Sequence, residues 1–400
     1  MRGRFIAGGS GAAFAALLSV AACQLAFPTL LDQGGDAGPA DATVDSVLPA
    51  GDAAPDASAS DAGRDADADI GAVSDAETCN HALPPPPPVQ GAPGAIAFVS
   101  AMRTLTGIVP GDAGTVLGFD LDGVCTCPGP PSCSSPGSPP QPNCDGPGGR
   151  DLEGDGLLEL FDEAFASSSL GDLAARIAEG RLTILFYVSG YNGGPDDAQV
   201  TFAVYSSNGI RTGDAGTIAL PKWDGTDSWS VDPGSVVASN PFDGGFAYTP
   251  AFFTTTAYVT QNTLVAHVPE LVVQLGFGSI TFRAGVFTAT IQPDGDGGYG
   301  LQGILGARLT TRDIFTLMGQ LRDGAGQYLC GTNPTYLSLH TTVCQTADIM
   351  ASASQDSTDA SCNAVSVGAG FAAVAAQLGA EFAVAPVASG CDGAVDDCTP

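Results

Sequence analysis

Eleven cysteines constrain this 400-residue chain more than any other feature: Cys23, Cys79, Cys125, Cys127, Cys133, Cys144, Cys330, Cys344, Cys362, Cys391 and Cys398. None lies between Cys144 and Cys330, so the long middle of the chain must be held by its own core while cross-links fasten the flanks. The count is odd, and setting Cys23 aside leaves ten, enough for up to five disulfides in an oxidising compartment. Cys125-Thr126-Cys127 with Cys133 and Cys144 raises the question of zinc, but the CxC spacing and the Pro/Gly-rich interval suit disulfides better. Sequence alone does not fix connectivity; the shortest loops favour Cys330 with Cys344 and Cys391 with Cys398.

The N-terminus explains the odd cysteine. Arg2 and Arg4 make a short positive region, and Phe5 to Val20 is mainly Ala, Leu, Val and Gly, too short and weakly apolar to span a bilayer. It ends in Val20-Ala21-Ala22-Cys23, which resembles the lipobox of bacterial lipoproteins. The resemblance implies a signal peptide over 1–22, cleavage before Cys23, and a lipid thioether on that residue that anchors the chain to a membrane. Gln24 rather than Asp follows, which in that family's sorting rule implies the outer membrane.

From Asp32 to Thr78 eleven Asp and Glu77 face only Arg64, and no aromatic residue occurs. Such a composition cannot bury enough apolar area to offset ordering entropy, so residues 23–89 are expected to be a disordered acidic linker ending in a stiff polyproline spacer, Pro84 to Pro88. The linker also divides the charge. Thirteen Lys+Arg against 43 Asp+Glu give a net −30, of which Asp32–Thr78 carries −11 and the chain after it −21. Acidity of that size disfavours nucleic acid and suits a cation such as calcium.

Residues 90–400 read as the folded domain. Short apolar runs at Ile96 to Phe98, Val116 to Leu121, Leu182 to Ser189, Gln199 to Ser206, Leu264 to Val268, Leu271 to Gly276, Ser279 to Phe282, Val286 to Ile291 and Tyr299 to Leu305 alternate with Pro-Gly, Asn-Gly and Asp-Gly turn signals. Capping patterns at Ser169/Asp172 and Thr310/Asp313 predict short helices, and Val365 to Phe371 reads as a closing strand. The expected fold is mainly β: an antiparallel β-sandwich or jelly-roll-like domain with two or three short inserted helices.

Two groups of side chains are candidate sites. Asp151, Glu153, Asp155 and Asp162, with Gly156 at loop position 6, resemble an EF-hand calcium loop, with Asp120, Asp122 and Asp145 as further donors. No helix signal precedes the loop, since Cys144 to Arg150 is Gly/Pro-rich, and a thrombospondin- or dockerin-type half-motif suits it better. Trp223, Asp224, Asp227 and Trp229 place both indoles and two carboxylates around one turn, a pattern suited to stacking on sugar faces if exposed and to a packed hairpin if not.

Enzyme signatures are missing: there is no HExxH, no G-x-S-x-G and no Walker lysine, because Lys222 stands between Pro221 and Trp223. Gly295 to Gly300 fits GxGxxG by letter but leads into a strand-like run, hence a turn. His267 and His340 read as packed or exposed rather than catalytic. The overall plan is similar to surface lipoproteins of GC-rich Gram-negative bacteria. It implies a lipid-anchored cell-envelope protein presenting a β-rich binding or structural domain to a glycan or an envelope protein. The alternatives are a carbohydrate-binding module and an extracellular hydrolase using paired carboxylates.

Overall fold

The structure is a computed structural model that describes residues 79–106, 117–127, 129–136, 143–152, 154, 173–212, 216–238, 248–295, 297–357, 359–385, 390–391 and 397–398. Cys23, most of the acidic linker, Glu153, Asp155, Asp162 and the Ser169/Asp172 cap lie outside the described residues.

Leu182–Ser189 and Gln199–Ser206 carry apolar side chains at both parities, as strands buried on both faces do. They form β2 (Thr183–Tyr191) and β3 (Asp197–Ser207), antiparallel with Phe186 opposite Val204. Their neighbours are β1 (Ile96–Thr106), β4 (Ser228–Val231), β5 (Phe252–Thr260), β6 (Thr263–Gln274), β7 (Ser279–Pro293), β8 (Tyr299–Thr310) and β9 (Ala364–Glu381). Leu264–Val268 and Leu271–Gly276 merge into the single strand β6, and Ser279–Phe282 and Val286–Ile291 into β7. The GxGxxG letters fall at the β7–β8 turn and the start of β8, where Asp294 accepts a hydrogen bond from Gly298 N–H at 2.8 Å.

The sheet runs β1-β2-β3-β5-β6-β7-β8-β9, and β9 returns to pair with β1, Ala101 opposite Val374. The domain is therefore a closed eight-stranded barrel, not a sandwich or jelly roll. The difference rests on one pairing between the first and last strands, which no local pattern in either strand encodes. β9 also pairs in parallel with β4 beyond the barrel.

An eight-stranded barrel is just wide enough for its interior to be filled by side chains. Phe287 of β7 meets Phe202 at 4.5 Å, Phe371 at 5.1 Å and Phe186 at 5.2 Å, centroid to centroid, so rings from opposite walls touch and the lumen is solid. The outward positions Thr255, His267, Thr290, Gln292 and Gln302 are exposed. An apolar lumen with a polar outer wall reverses the pattern of a membrane barrel.

Two further cores extend this one. Ala307 and Leu309 of β8 and Val365 and Val367 of β9 continue the lumen-facing parity of Leu301 and Phe371. They are covered by α2 (Thr311–Met318) and α3 (Pro334–Thr346). A short helix, α1 (Leu173–Ala178), puts Ile177 into the lumen cluster. On the outer face of β2 and β3, Leu185, Tyr187, Ala203 and Tyr205 pack under Trp229, Val231 and Ile210. The Thr310 cap is as expected, its hydroxyl accepting from Asp313 N–H at 3.0 Å. Leu117 to Leu121, expected as a strand, is instead an irregular segment laid across the outside of the barrel.

All ten cysteines of the body are paired: Cys79–Cys125, Cys127–Cys144, Cys133–Cys362, Cys330–Cys391 and Cys344–Cys398. The count of five agrees with the sequence, but the expected Cys330–Cys344 and Cys391–Cys398 pairs do not form. Cys330 precedes α3 and Cys344 sits in its last turn. At 1.5 Å per residue the helix rises roughly 15 Å from Pro334 to Cys344, carrying Cys344 away from the start of α3, and both cysteines pair with the C-terminal tail.

Removing the central ring of the lumen should test this packing. Phe287, 2% exposed, replaced by Ala should lower unfolding free energy by about 3–5 kcal/mol, whereas Gln302→Ala should change it by less than about 0.5. Equal effects in denaturant titrations would contradict a filled barrel.

Candidate metal centre on the outer wall

Gly306 of β8 and Gly368 of β9 stand directly opposite each other and leave a bare patch on the outside of the barrel. A Cβ on Gly306 would lie 2.8 Å from the Phe119 ring, and one on Gly368 2.6 Å from the Leu117 carbonyl. The Leu117–Asp122 segment thus rests on backbone, and Phe119 is buried there at 7% exposure. The role of these glycines follows from their register across β8 and β9.

This placement carries three carboxylates together. Oxygens of Asp120, Asp122 and Asp151 lie within 4.8 Å of one another, in a region where Asp120 and Asp151 are buried. Asp151 accepts from Leu121 N–H at 2.6 Å, and its own N–H donates to Phe119 O at 3.1 Å, tying the two segments into one unit. Asp120 accepts from Gly123 N–H at 2.6 Å and contacts His81 Nδ1 with its other oxygen. Asp122 accepts from Val124 N–H at 2.8 Å. Nearby, Asp145 accepts from Thr126 N–H at 2.6 Å, beside the Cys127–Cys144 bridge.

The polyproline run is part of this frame rather than a free spacer. Ala82 N–H donates to Gly148 O at 2.7 Å, Asp120 N–H to Ala82 O at 3.1 Å, and Tyr258 hydroxyl to Pro85 O at 2.6 Å.

One cation faces this group. Arg308, fully buried on the outward parity of β8, donates to both oxygens of Asp356 at 2.9 Å, and to Leu121 O at 2.6 Å and Met350 O at 2.7 Å. Its charge is matched by Asp356 alone. Three of the carboxylates nearby, Asp122, Asp145 and Asp151, have raised proton affinities. Burial, then the Asp122 and Asp348 charges, push Asp151 up to about 10. Burial raises Asp145 to about 6 and lifts Asp122 as well, against the restraining Ser132 hydroxyl and Val124 N–H.

Clustered carboxylate oxygens are the hard donor type that a calcium-class ion takes, with backbone oxygens or water completing the shell. Asp120, Asp122 and Asp151 are the members of the expected set that the structure brings together. His81, Arg308, Asp348 and Asp356 were not foreseen, because they arrive from segments far away in sequence. A second grouping, Cys79, His81 and Cys125, also has its ligand atoms within 4.8 Å of one another, with both sulfurs in the disulfide.

The tryptophan turn is different from the exposed pair that a sugar platform requires. Trp229 is fully buried and packs against half-buried Trp223, centroids 5.3 Å apart with the rings tilted by 40°. Asp227, 6% exposed, accepts from Lys222 and Trp223 N–H groups at 2.9 and 2.7 Å, so it holds the turn and does not face solvent. Asp224 is exposed and bonds Thr226, whose hydroxyl and N–H lower its proton affinity. Of the expected ligand-binding set only Trp223 and Asp224 reach the surface. His267 is exposed, and His340 stacks on Phe315 at 4.6 Å, neither of them near the carboxylates.

A cleft of about 580 Å³ lies elsewhere, lined by Arg283, Arg312, Asp313, Asn363 and Asp397 among others. Asp313 there lies 3.7 Å from Arg283, an ion pair.

The acidic group dictates a pH dependence. Unfolded, Asp151 ionises near its ordinary value of 3.8; folded, near 10. Between those values the folded state binds the extra proton, so stability falls as pH rises, by up to ~1.4 kcal/mol per pH unit. Calcium should cancel this loss, raising the melting temperature more at pH 8 than at pH 5. Asp151→Asn, which keeps an acceptor for Leu121 N–H, should flatten the pH slope and remove most of the calcium response. An unchanged slope would show that Asp151 is not the group concerned. Comparison with protein-family models, curated proteins and solved structures finds no match to this chain.

Proposed function

We infer that this is a lipid-anchored cell-envelope protein, tethered to the outer membrane through Cys23, whose calcium-bearing β-barrel works by binding or by structural support at its outer surface. The filled lumen carries this reading. With Phe186, Phe202, Phe287 and Phe371 in mutual contact, the barrel offers no internal ligand site of the lipocalin kind, which leaves the outer wall and its loops as the working surface. The polar outward positions support a barrel standing in water, and no described helix is long and apolar enough to cross a membrane, so attachment falls to the N-terminus. The lipobox Val20-Ala21-Ala22-Cys23 supplies it.

An envelope protein is the partner this surface suits best. A sugar platform would have only Trp223 as an indole, since Trp229 is internal. The hydrolase alternative is less favoured, because Asp120 and Asp151 are buried, out of reach of a bulky substrate. Bound calcium would act here by replacing the proton on Asp151 and drawing Asp120 and Asp122 to the same ion, so fixing the loop on the outer wall.

Mass spectrometry of the mature N-terminus should find Cys23 as the first residue, carrying diacylglycerol, and Cys23→Ser should move the protein from the membrane to the soluble fraction. Cleavage elsewhere, or an unmodified Cys23, would remove the anchor from the proposal.

A further inference from the structure

We propose that Cys79, His81 and Cys125 form a redox-gated site for a thiophilic divalent cation of the zinc class: closed as a disulfide when oxidised, open to metal when reduced. The ligand atoms of the three residues lie within 4.8 Å of one another. A tetrahedral zinc ion with Zn–S of about 2.3 Å and Zn–N of about 2.0 Å holds its ligands roughly 3.5–4 Å apart, so little movement is needed once the S–S bond opens.

Three features prepare the site. His81 Nδ1 contacts buried Asp120, the carboxylate–histidine arrangement that orients metal-ligating imidazoles. Gly149 has φ of 66°, and a Cβ there would stand 2.7 Å from Cys125 Sγ and 3.0 Å from Asp120 Oδ2, so sulfur and carboxylate share a cradle that a larger residue would fill. The His81 side chain is 42% exposed, which gives an ion a path in and water a place as fourth ligand.

The chemistry balances with a dithiol as reductant. Its two thiols become a disulfide as the Cys79–Cys125 bond takes two electrons and two protons; zinc then displaces both protons from the new thiols. Metal in this position keeps the Cys79 arm fastened to the Cys125 loop after the covalent link is broken. The calcium reading is not needed for this, since thiolate and imidazole donors select a softer ion than clustered carboxylates do.

The test uses the mature full chain, treated with limiting dithiol and mapped by alkylation to identify the opened bridge. Zinc binding is then measured against a chromophoric chelator, with cobalt(II) as a spectroscopic probe of thiolate ligation. The expected result is one zinc per chain in protein with Cys79 and Cys125 reduced, none in oxidised protein, and at least a hundredfold weaker binding in His81→Ala. Cys127→Ser/Cys144→Ser should bind as the parent does. Because reduction could loosen the domain, a Cys79→His/Cys125→His variant provides a form that needs no reductant; it should bind zinc with the other four bridges intact. Equal zinc binding by the parent and His81→Ala, or none by both the reduced parent and the double-His variant, would overturn the proposal.

Discussion

The pairing of β1 with β9 closes the sheet, and the other features of the domain follow from it. Without it the strands from β1 to β9 would be an open sheet with two unsatisfied edges and a phenylalanine-rich face. Closure removes both edges and turns that face into a lumen, where Phe98, Phe186, Phe202, Phe287 and Phe371 lose contact with water. The long interval without cysteines needs no cross-link for this reason: β2, β3, β5, β6 and β7 are held on both sides by ladder hydrogen bonds and inside by one another's rings. β9 bears the largest load, pairing with β8, β1 and, past the barrel, β4. Its sequence, rich in Ala and Gly, fits a strand crowded on every side.

The same strand explains where the acidic group lies. Opposed glycines at 306 and 368 let an irregular segment approach the barrel wall more closely than side chains would permit. The segment delivers Asp120 and Asp122 to a place where Asp151 is already buried and Arg308 is already occupied by Asp356. Bringing carboxylates together costs desolvation and mutual repulsion, which proton uptake or a cation must offset. The disulfides Cys79–Cys125, Cys127–Cys144 and Cys133–Cys362 frame this region and restrain the loops against that repulsion.

How much was legible in the sequence depended on whether the signal was local. The β2–β3 hairpin was readable because Asn192, Gly193 and Pro195 punctuate two dense apolar runs, and the α2 cap because Thr310 and Asp313 stand three residues apart. Helix α3 was missed although its signal was present: Asn333 caps Thr335 and Tyr336 N–H groups, Pro334 opens the helix, and Tyr336, Leu339 and Val343 lie on one face. The expected cysteine pairs rested on loop length alone, and α3 occupies most of the interval between Cys330 and Cys344. Barrel closure, the glycine landing and the arrival of Asp356 beside Arg308 depend on pairings across long stretches of chain, and no window of sequence contains them. The carboxylates were half legible: an acidic loop at 151 was visible, while its partners at 120 and 122 could be named but not placed.

The cross-links also indicate how a tethered domain of this kind would bear load. On the lipid-anchored reading, any pull on the linker enters the body at Cys79 and passes at once to the Cys125 loop through the disulfide, before it reaches the hydrogen bonds of Ala82 and Pro85. From that loop it spreads through Cys127–Cys144 and the Asp120–Asp151 unit to the wall formed by β8 and β9. Hydrogen bonds worth about 1 kcal/mol each would peel one at a time under such a load, whereas a covalent or metal link makes them share it. The junction between linker and barrel is thus the point where a cross-link matters most, and it is there that the first cysteine of the body, the histidine two residues after it and the acidic group on the barrel wall converge.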